Sequence, residues 1–499
     1  MKKVIVVGAG IGGLCSAIRL LNKGYKVTIF EKENTIGGKV NVKSSKGANF
    51  DLTASILMTA DIYTEIFQSV GKNYKDYIEL VKLEPIYKVN YYDGTTYDFY
   101  SDLEIMINKL EDIEKGLSIE YLDFLNKSYK KYLLSKENFL NKPMIYKSEI
   151  INIKSLNKIL SINPILKVDK YINSKISNEK LRQYLIFQSM YIGINPFTTS
   201  NLYTLIPAIS HAYGLYYIKG GLYKYILALE KLIYELGGKI EIGKEVSEII
   251  VDNNIIKGVK VDKHTYYSDI VICNADFPYA IKNLFKDNVN EGLYKTDNID
   301  KKDYSCSVFI IYLGLNKQYD NLKVHNIYIS EDFKDSIEYP FEGKLSDNPS
   351  LYLYSPSETL GNVNGEYKQI LNLVVRVPNL LFKDIKWDKE SILKYRNIII
   401  NQVKLIKGLE DIDEHIEFED YLTPIDLKER FNSYNGTAFG LSHKLSQTTY
   451  FRPHIKSKNI RGLYYIGSST HPGNGVSVII DGSKLVEDQV EILNKRTRY

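Results

Sequence analysis

Two glycine clusters, GAGIGG at residues 8–13 and GSSTHPGNG at 467–475, and a return of βα patterning at 218–276 predict an α/β fold. The pattern is that of a discontinuous Rossmann-type nucleotide-binding domain, with an α+β substrate domain and a helical lid inserted between its pieces. The expected divisions are 1–90, 206–290 and 436–499 for the nucleotide domain, 91–205 for the helical, membrane-facing region and 291–435 for the substrate-domain sheet.

The first element is the β-branched run Val4 to Val7, bounded by glycine as a buried parallel strand would be. Gly8 then permits a tight turn, Gly10 the close approach of a phosphate, and Gly13 helix–strand packing. Ala9, Ile11 and Gly12 complete the same binding turn. Ile11, Leu14, Ile18 and Leu21 recur at helical spacing, so the helix they form points its free N–H groups at an anionic oxygen. A second strand, Val27 to Phe30, ends at Glu31, the acid expected to meet a ribose; Lys32 follows it. Strand, glycines, helix, strand and acid in this order indicate a bound nucleotide. Beyond them come Gly37, Gly38 and Lys39, which either close a simple turn or let another loop approach a pyrophosphate and flavin. Plain nicotinamide dehydrogenases do not require that second pair.

The middle of the chain returns to this pattern. Gly220-Gly221 opens a helix carrying Leu222, Ile226, Leu229, Leu232, Ile233 and Leu236, which stops at Gly237-Gly238. Strands are expected at Ile240–Ile242, Val246–Val251, Ile256–Val261 and Asp269–Cys273, the last leading to Asn274, Ala275 and Asp276. Between about 100 and 190 the pattern is helical and lysine-rich. Leu122, Leu125, Tyr129, Tyr132 and Leu133 are expected on one face, with Lys127, Lys130 and Lys131 opposite. That is the pattern of a packed lid or of a helix resting on a membrane. The apolar runs 305–315 and 369–378 suggest a sheet flooring the second domain.

A chain of 499 residues with 44% apolar and 25% charged residues is long enough for more than one globular core. Its net charge of +5 gives no case for nucleic acid and does not oppose an anionic membrane surface. Tyrosine is abundant (42) and tryptophan nearly absent (1), as coding bias in an AT-rich genome would produce. Cys15, Cys273 and Cys306 form no CxxC pair, which argues against a disulfide framework or a zinc site and suits a reducing cytoplasm. With a first strand at Val4 no signal peptide is expected, and no apolar run is long enough to span a bilayer. Membrane contact is expected to be peripheral, on the inner face of the cell membrane.

At the C-terminal end, Leu463 to Ile466 reads as a strand, Gly467 to Gly475 as a loop and Val476 onward as a helix. The start of that helix should face the pyrimidine end of a flavin ring, where its dipole favours negative charge. Over nearly its whole length the chain resembles the bacterial-type phytoene desaturases, FAD-dependent carotenoid enzymes of the flavin amine oxidase-like superfamily. The resemblance is carried by GAGIGG, FQSMYIGINPF at 187–197, YIKGGLYKYILALEKL at 217–232, NADFP at 274–278, YSCSVFIIYLGL at 304–315 and HNIYIS at 325–330. LTPIDLKERFNSYNGTAFGLSH at 422–443 and THPGNG at 470–475 carry it most specifically.

The resemblance implies that Gly8, Gly10, Gly13 and Glu31 bind the ADP part of FAD. It puts Val246 on the strand that meets adenine, and Gly467, His471, Pro472, Gly473 and Gly475 along the flavin. Ser468 and Val476 belong to the same stretch. Departures from the family pattern fall at Tyr465, Ser468, Asn474, the segment 357–366 and Arg376. His471 is either a turn residue set by Pro472 or a flavin-proximal proton-transfer group, and His443 and Arg452 are expected to anchor the loop. The implied reaction removes a hydride and a proton from adjacent carbons of a linear polyene, with hydride to flavin N5 and a quinone or oxygen as final acceptor. It needs orientation in a dry tunnel more than a strong base. Rival readings are a saturase, isomerase or amine oxidase on the same scaffold, or a flavin-binding protein without turnover. No metal site is expected.

Overall fold

The computed structural model describes residues 2–151, 163–356, 360–361, 364 and 365–496. Part of the 357–366 segment and part of the lysine-rich stretch therefore lie outside the described residues. Lys3–Val7 sits at the centre of a five-stranded sheet in the order Leu463–Tyr465, Ile270–Cys273, Lys3–Val7, Lys26–Phe30, Lys239–Glu241. Every pairing in it is parallel. Strands from three distant stretches of chain thus build one sheet, as the glycine clusters and the return of βα patterning predict.

One face of this sheet is covered by the helices Ile11–Asn22, Tyr223–Glu235 and Val476–Arg496. Close packing explains the third fingerprint glycine: a Cβ on Gly13 would stand 2.3 Å from the Gly8 carbonyl oxygen. The other face packs Ile5, Val7, Val271 and Cys273 against a three-stranded antiparallel sheet of Val246–Asp252, Ile255–Val261 and His264–Tyr267. The expected strand ends shift slightly where the chain leaves the ladder. Ile242, expected at the end of a strand, lies beyond Lys239–Glu241 and is exposed.

The second domain is floored by a seven-stranded mixed sheet, in the order Ile416–Leu422, Ser307–Leu315, Gln369–Val377, Leu351–Tyr354, His325–Ile329, Tyr87–Tyr91, Thr96–Phe99. Ser307–Leu315 is buried along its whole length and pairs antiparallel with Gln369–Val377 from end to end. A strand covered on both faces needs such a continuous apolar run. Tyr87–Tyr91, which crosses the expected boundary between 90 and 91, runs parallel to His325–Ile329 in this sheet. The helix Lys389–Lys404 covers one face.

The helical region contains Leu103–Ile113, Leu117–Ser135, Val168–Asn173, Glu179–Ser189 and Leu205–Tyr213. The expected faces of Leu117–Ser135 require correction. Its buried side is formed by Tyr121, Phe124, Leu125, Ser128, Lys131 and Tyr132, while Leu133 is exposed. Lys131 is drawn inward because its ammonium donates to Asn201 Oδ1 at 2.5 Å and lies 3.3 Å from the centre of the Tyr171 ring. No described helix is long and apolar enough to cross a membrane.

Candidate functional site

A continuous cavity begins at Gly8, Gly10 and Glu31 on the parallel sheet, passes the 467–476 loop, and ends among Phe187, Ile206 and Ile337 under the helical region. Glu31 lines its first end. The carboxylate accepts the Ala9 N–H at 2.7 Å and the Glu33 N–H at 2.9 Å. Burial raises its pKa, and the two N–H bonds oppose that rise. Lys32 and Val246 flank it on the same wall.

The second glycine pair does more than close a turn. Gly37 N–H donates to the Ala9 carbonyl at 2.8 Å, so Gly37, Gly38 and Lys39 lie against the first glycine loop and line the cavity with it. Lys39 Nζ donates to the Ala438 carbonyl at 3.1 Å. Burial lowers its pKa, and nearby Asp276 offsets part of that. Asp276 in turn accepts from Ser469 Oγ at 2.7 Å and from Tyr434 N–H at 2.8 Å.

Of the expected residues, Gly8, Gly10, Ile11, Glu31, Lys32, Gly37, Gly38, Lys39, Val246, Asn274, Ala275, Gly467, Ser468, His471, Pro472, Gly473, Gly475 and Val476 line this one cavity. Ala9, Gly12 and Gly13 stand behind it. Ala9 is fully buried with its N–H committed to Glu31. Gly13 N–H donates to Asn274 Oδ1 at 3.0 Å, and Asn274 Nδ2 donates to the Ile466 carbonyl at 2.8 Å. One amide therefore ties the first glycine loop to the last strand.

The 467–475 loop is fixed from behind by Arg452. Its guanidinium donates to the carbonyls of Leu441, Ser442, Gln447, Ser468 and Thr470. Gly473 has φ +142°, a conformation strained for any side chain, and a Cβ there would come 3.2 Å from His443 Nε2. His471 Nε2 donates to the Lys142 carbonyl at 2.8 Å, which leaves Nδ1 as a bare acceptor with no partner among the described residues. Burial brings its pKa down to about 4, and His443 is lowered by burial as well. Both imidazoles are neutral near pH 7.

Beyond the loop the walls become apolar. Val308, Ile310 and Val374 come from the seven-stranded sheet, and Tyr132 and Phe139 from the helical region. Two residues of this part carry no site role in the sequence. Arg376 stands in the sequence only as a departure from the family pattern, and Tyr191 only inside the block 187–197; both line the cavity.

A glycine-backed cavity with an acid at one end of a parallel sheet, a helix N-terminus on its flank and an apolar far end defines a flavin-dependent oxidoreductase. Residues 11–479 match the flavin-containing amine oxidoreductase family, and the chain belongs to that family. Its cofactor is FAD, and the residues present fit it: Glu31 and the first two fingerprint glycines suit the nucleotide end, and the side-chain-free backbone of the 467–475 loop suits a planar ring.

The chain is 36% identical over 489 residues to a 4,4'-diapophytoene desaturase (4,4'-diaponeurosporene-forming) of Staphylococcus haemolyticus, a match covering 97% of this chain and 98% of that one. Among solved structures, an oxidoreductase from Methanosarcina mazei superposes with TM-score 0.61 at 17% identity, covering 97% of this chain and 100% of that chain. Cyclohexylamine oxidase from Brevibacterium oxydans superposes with TM-score 0.60 at 11% identity, covering 98% and 99%. These two structures share the fold.

Proposed function

We propose that the protein is an FAD-dependent desaturase of a linear isoprenoid polyene of the 4,4'-diapophytoene type. The observation that carries this reading is the cavity itself, whose glycine-lined nucleotide end continues into an apolar chamber walled by the lid and the seven-stranded sheet. The likeness to the staphylococcal enzyme along almost the whole of both chains supports it.

When bound, FAD supplies the hydride acceptor at N5 of its ring. The chain supplies binding, orientation and dryness. Gly8, Gly10, Glu31 and Val246 hold the adenosine end. Gly467, Ser468, Pro472, Gly473 and Gly475 would lie along the ring, where the helix N-terminus at Val476 would favour negative charge. Phe187, Ile206, Val308 and Ile310 align an extended chain and exclude water. His471, which lines the cavity, is the residue we assign to receive the departing proton. A carbon beside a delocalised cation is acidic enough for a weak, neutral imidazole to serve.

The polyene enters from a bilayer under the helical region, on whose surface Ile119, Tyr146 and Ile165 are exposed. Tyr132, Lys136 and Phe139 of the same region line the cavity, which supports entry from that side. A quinone or oxygen is the final acceptor.

The test mixes FAD-loaded protein anaerobically with liposomes carrying either 4,4'-diapophytoene or its longer homologue phytoene. Flavin bleaching with rising long-wavelength polyene bands is the expected result. Flavin that stays oxidised with both lipids overturns the proposal.

A further inference from the structure

Arg376 lines the apolar half of the cavity and has no ion-pair partner among the described residues. It lies on the strand Gln369–Val377, cross-strand from Val308 and two residues from Val374, both cavity-lining aliphatics. Among the described residues its guanidinium makes one long hydrogen bond, from Nη2 to the Met190 carbonyl at 3.5 Å, and no carboxylate forms an ion pair with it. The Phe439 ring covers it at 4.7 Å from the ring centre. Tyr191 lies beside it, with its ring against that of Tyr87. Burial lowers the pKa of Arg376, yet a guanidinium stays charged at any physiological pH.

A purely hydrocarbon ligand fits this arrangement badly. Filling the chamber with hydrocarbon removes the water that solvates Arg376 and returns no hydrogen bond, and a buried charge stripped of partners costs several kcal/mol. An oxygen-bearing group recovers that loss, and a carboxylate recovers most of it because it accepts two parallel N–H bonds from one guanidinium.

We propose that Arg376 is a substrate-specificity subsite that selects a linear polyene bearing a carboxylate over the hydrocarbon of equal length. This rests on the reading of the chamber as a polyene site and narrows the substrate class within it.

The test measures equilibrium binding to FAD-loaded protein of a diapophytoene-type hydrocarbon and of the corresponding terminal monocarboxylate, both presented in liposomes, with quenching of flavin fluorescence as the signal. Wild type, Arg376→Met and Arg376→Lys are compared, with FAD content and reduction potential recorded for each. The expected result is that the acid binds wild type at least about tenfold more tightly than the hydrocarbon, the scale of one charge-assisted hydrogen bond. Arg376→Met should abolish that preference and tighten hydrocarbon binding, while Arg376→Lys keeps part of it.

Equal binding of the two ligands to wild type overturns the inference, as does a preference that survives in Arg376→Met. If Arg376→Met shifts the reduction potential and leaves the preference intact, the guanidinium serves the cofactor and the inference likewise fails. Should Arg376→Met lose FAD, Arg376→Lys and the wild-type comparison still decide the matter. Desaturation of the hydrocarbon by wild type separates this outcome from the broader reading. A hydrocarbon that is desaturated while the acid is not preferred removes only the carboxylate subsite.

Discussion

Arg452 Nη2 donates to the carbonyl of Ser468 at 2.6 Å, and four further carbonyls share the same buried guanidinium. A single side chain therefore sets the backbone of the 467–475 loop that lines the cavity. Arg452→Met is expected to leave these carbonyls unpaired at a cost above about 3 kcal/mol. The purified variant should lose most of its FAD and melt well below wild type, with Arg452→Lys intermediate. FAD content by absorbance and Tm by calorimetry check this. A variant that keeps full FAD would show that the loop holds its own shape.

Asn274 makes a sharper probe, because its amide donates at one end and accepts at the other. Asn274→Asp keeps the shape and replaces the donor with an oxygen facing the Ile466 carbonyl. Asn274→Ala simply removes both bonds. The aspartate variant should be the less stable of the two, by about 1–2 kcal/mol at pH 7, since it adds repulsion to the lost bond. Chemical denaturation of the two variants side by side measures the order. The reverse order would mean that the Gly13 N–H bond, which the aspartate keeps, outweighs the repulsion at the Ile466 carbonyl.

Acid sensitivity follows from the buried histidines. The folded pKa of His471, about 4, lies below its ordinary 6.5. Its contribution to stability is therefore fully present above about pH 6.5 and is lost as pH falls through about 4. His454, also lowered to about 4 by burial, adds to the same window. The share belonging to His471 amounts to about 3 kcal/mol once both states are protonated. His471→Gln, whose amide can still reach the Lys142 carbonyl, should flatten the fall of Tm between pH 6.5 and pH 4. An unchanged slope would show that His471 is not held neutral.

The parts of the site legible in the sequence are those fixed by local backbone needs. Gly13 is demanded by a contact with Gly8 five residues away, and Glu31 by the end of the next strand. Contacts between distant segments leave no such mark. Lys131 reads as a solvent-facing lysine because Asn201 and Tyr171, which draw it inward, sit far along the chain. The pairing of Tyr87–Tyr91 with His325–Ile329 is equally non-local. Arg376 is a middle case. Leu371, Leu373, Val375 and Val377 pack into one core, so strand alternation alone puts Arg376 on the opposite face with Val374. That this face borders a cavity emerges only when the lid is in place.

The two ends of the cavity can be separated by narrowing one of them. Val374 and Ile310 are cross-strand partners, and both line the cavity. Val374→Phe adds a ring to open space and does not crowd a filled core, so the strain of overpacking should stay below about 1 kcal/mol. The variant should retain wild-type FAD content and Tm. Its turnover of polyene should fall at least about tenfold, because a displaced chain no longer presents its reacting carbons in line. Chemical reduction of its flavin by dithionite should proceed as in wild type. Loss of FAD together with turnover would mean that the chamber and the cofactor end are one packed unit; full turnover would mean that the polyene runs elsewhere.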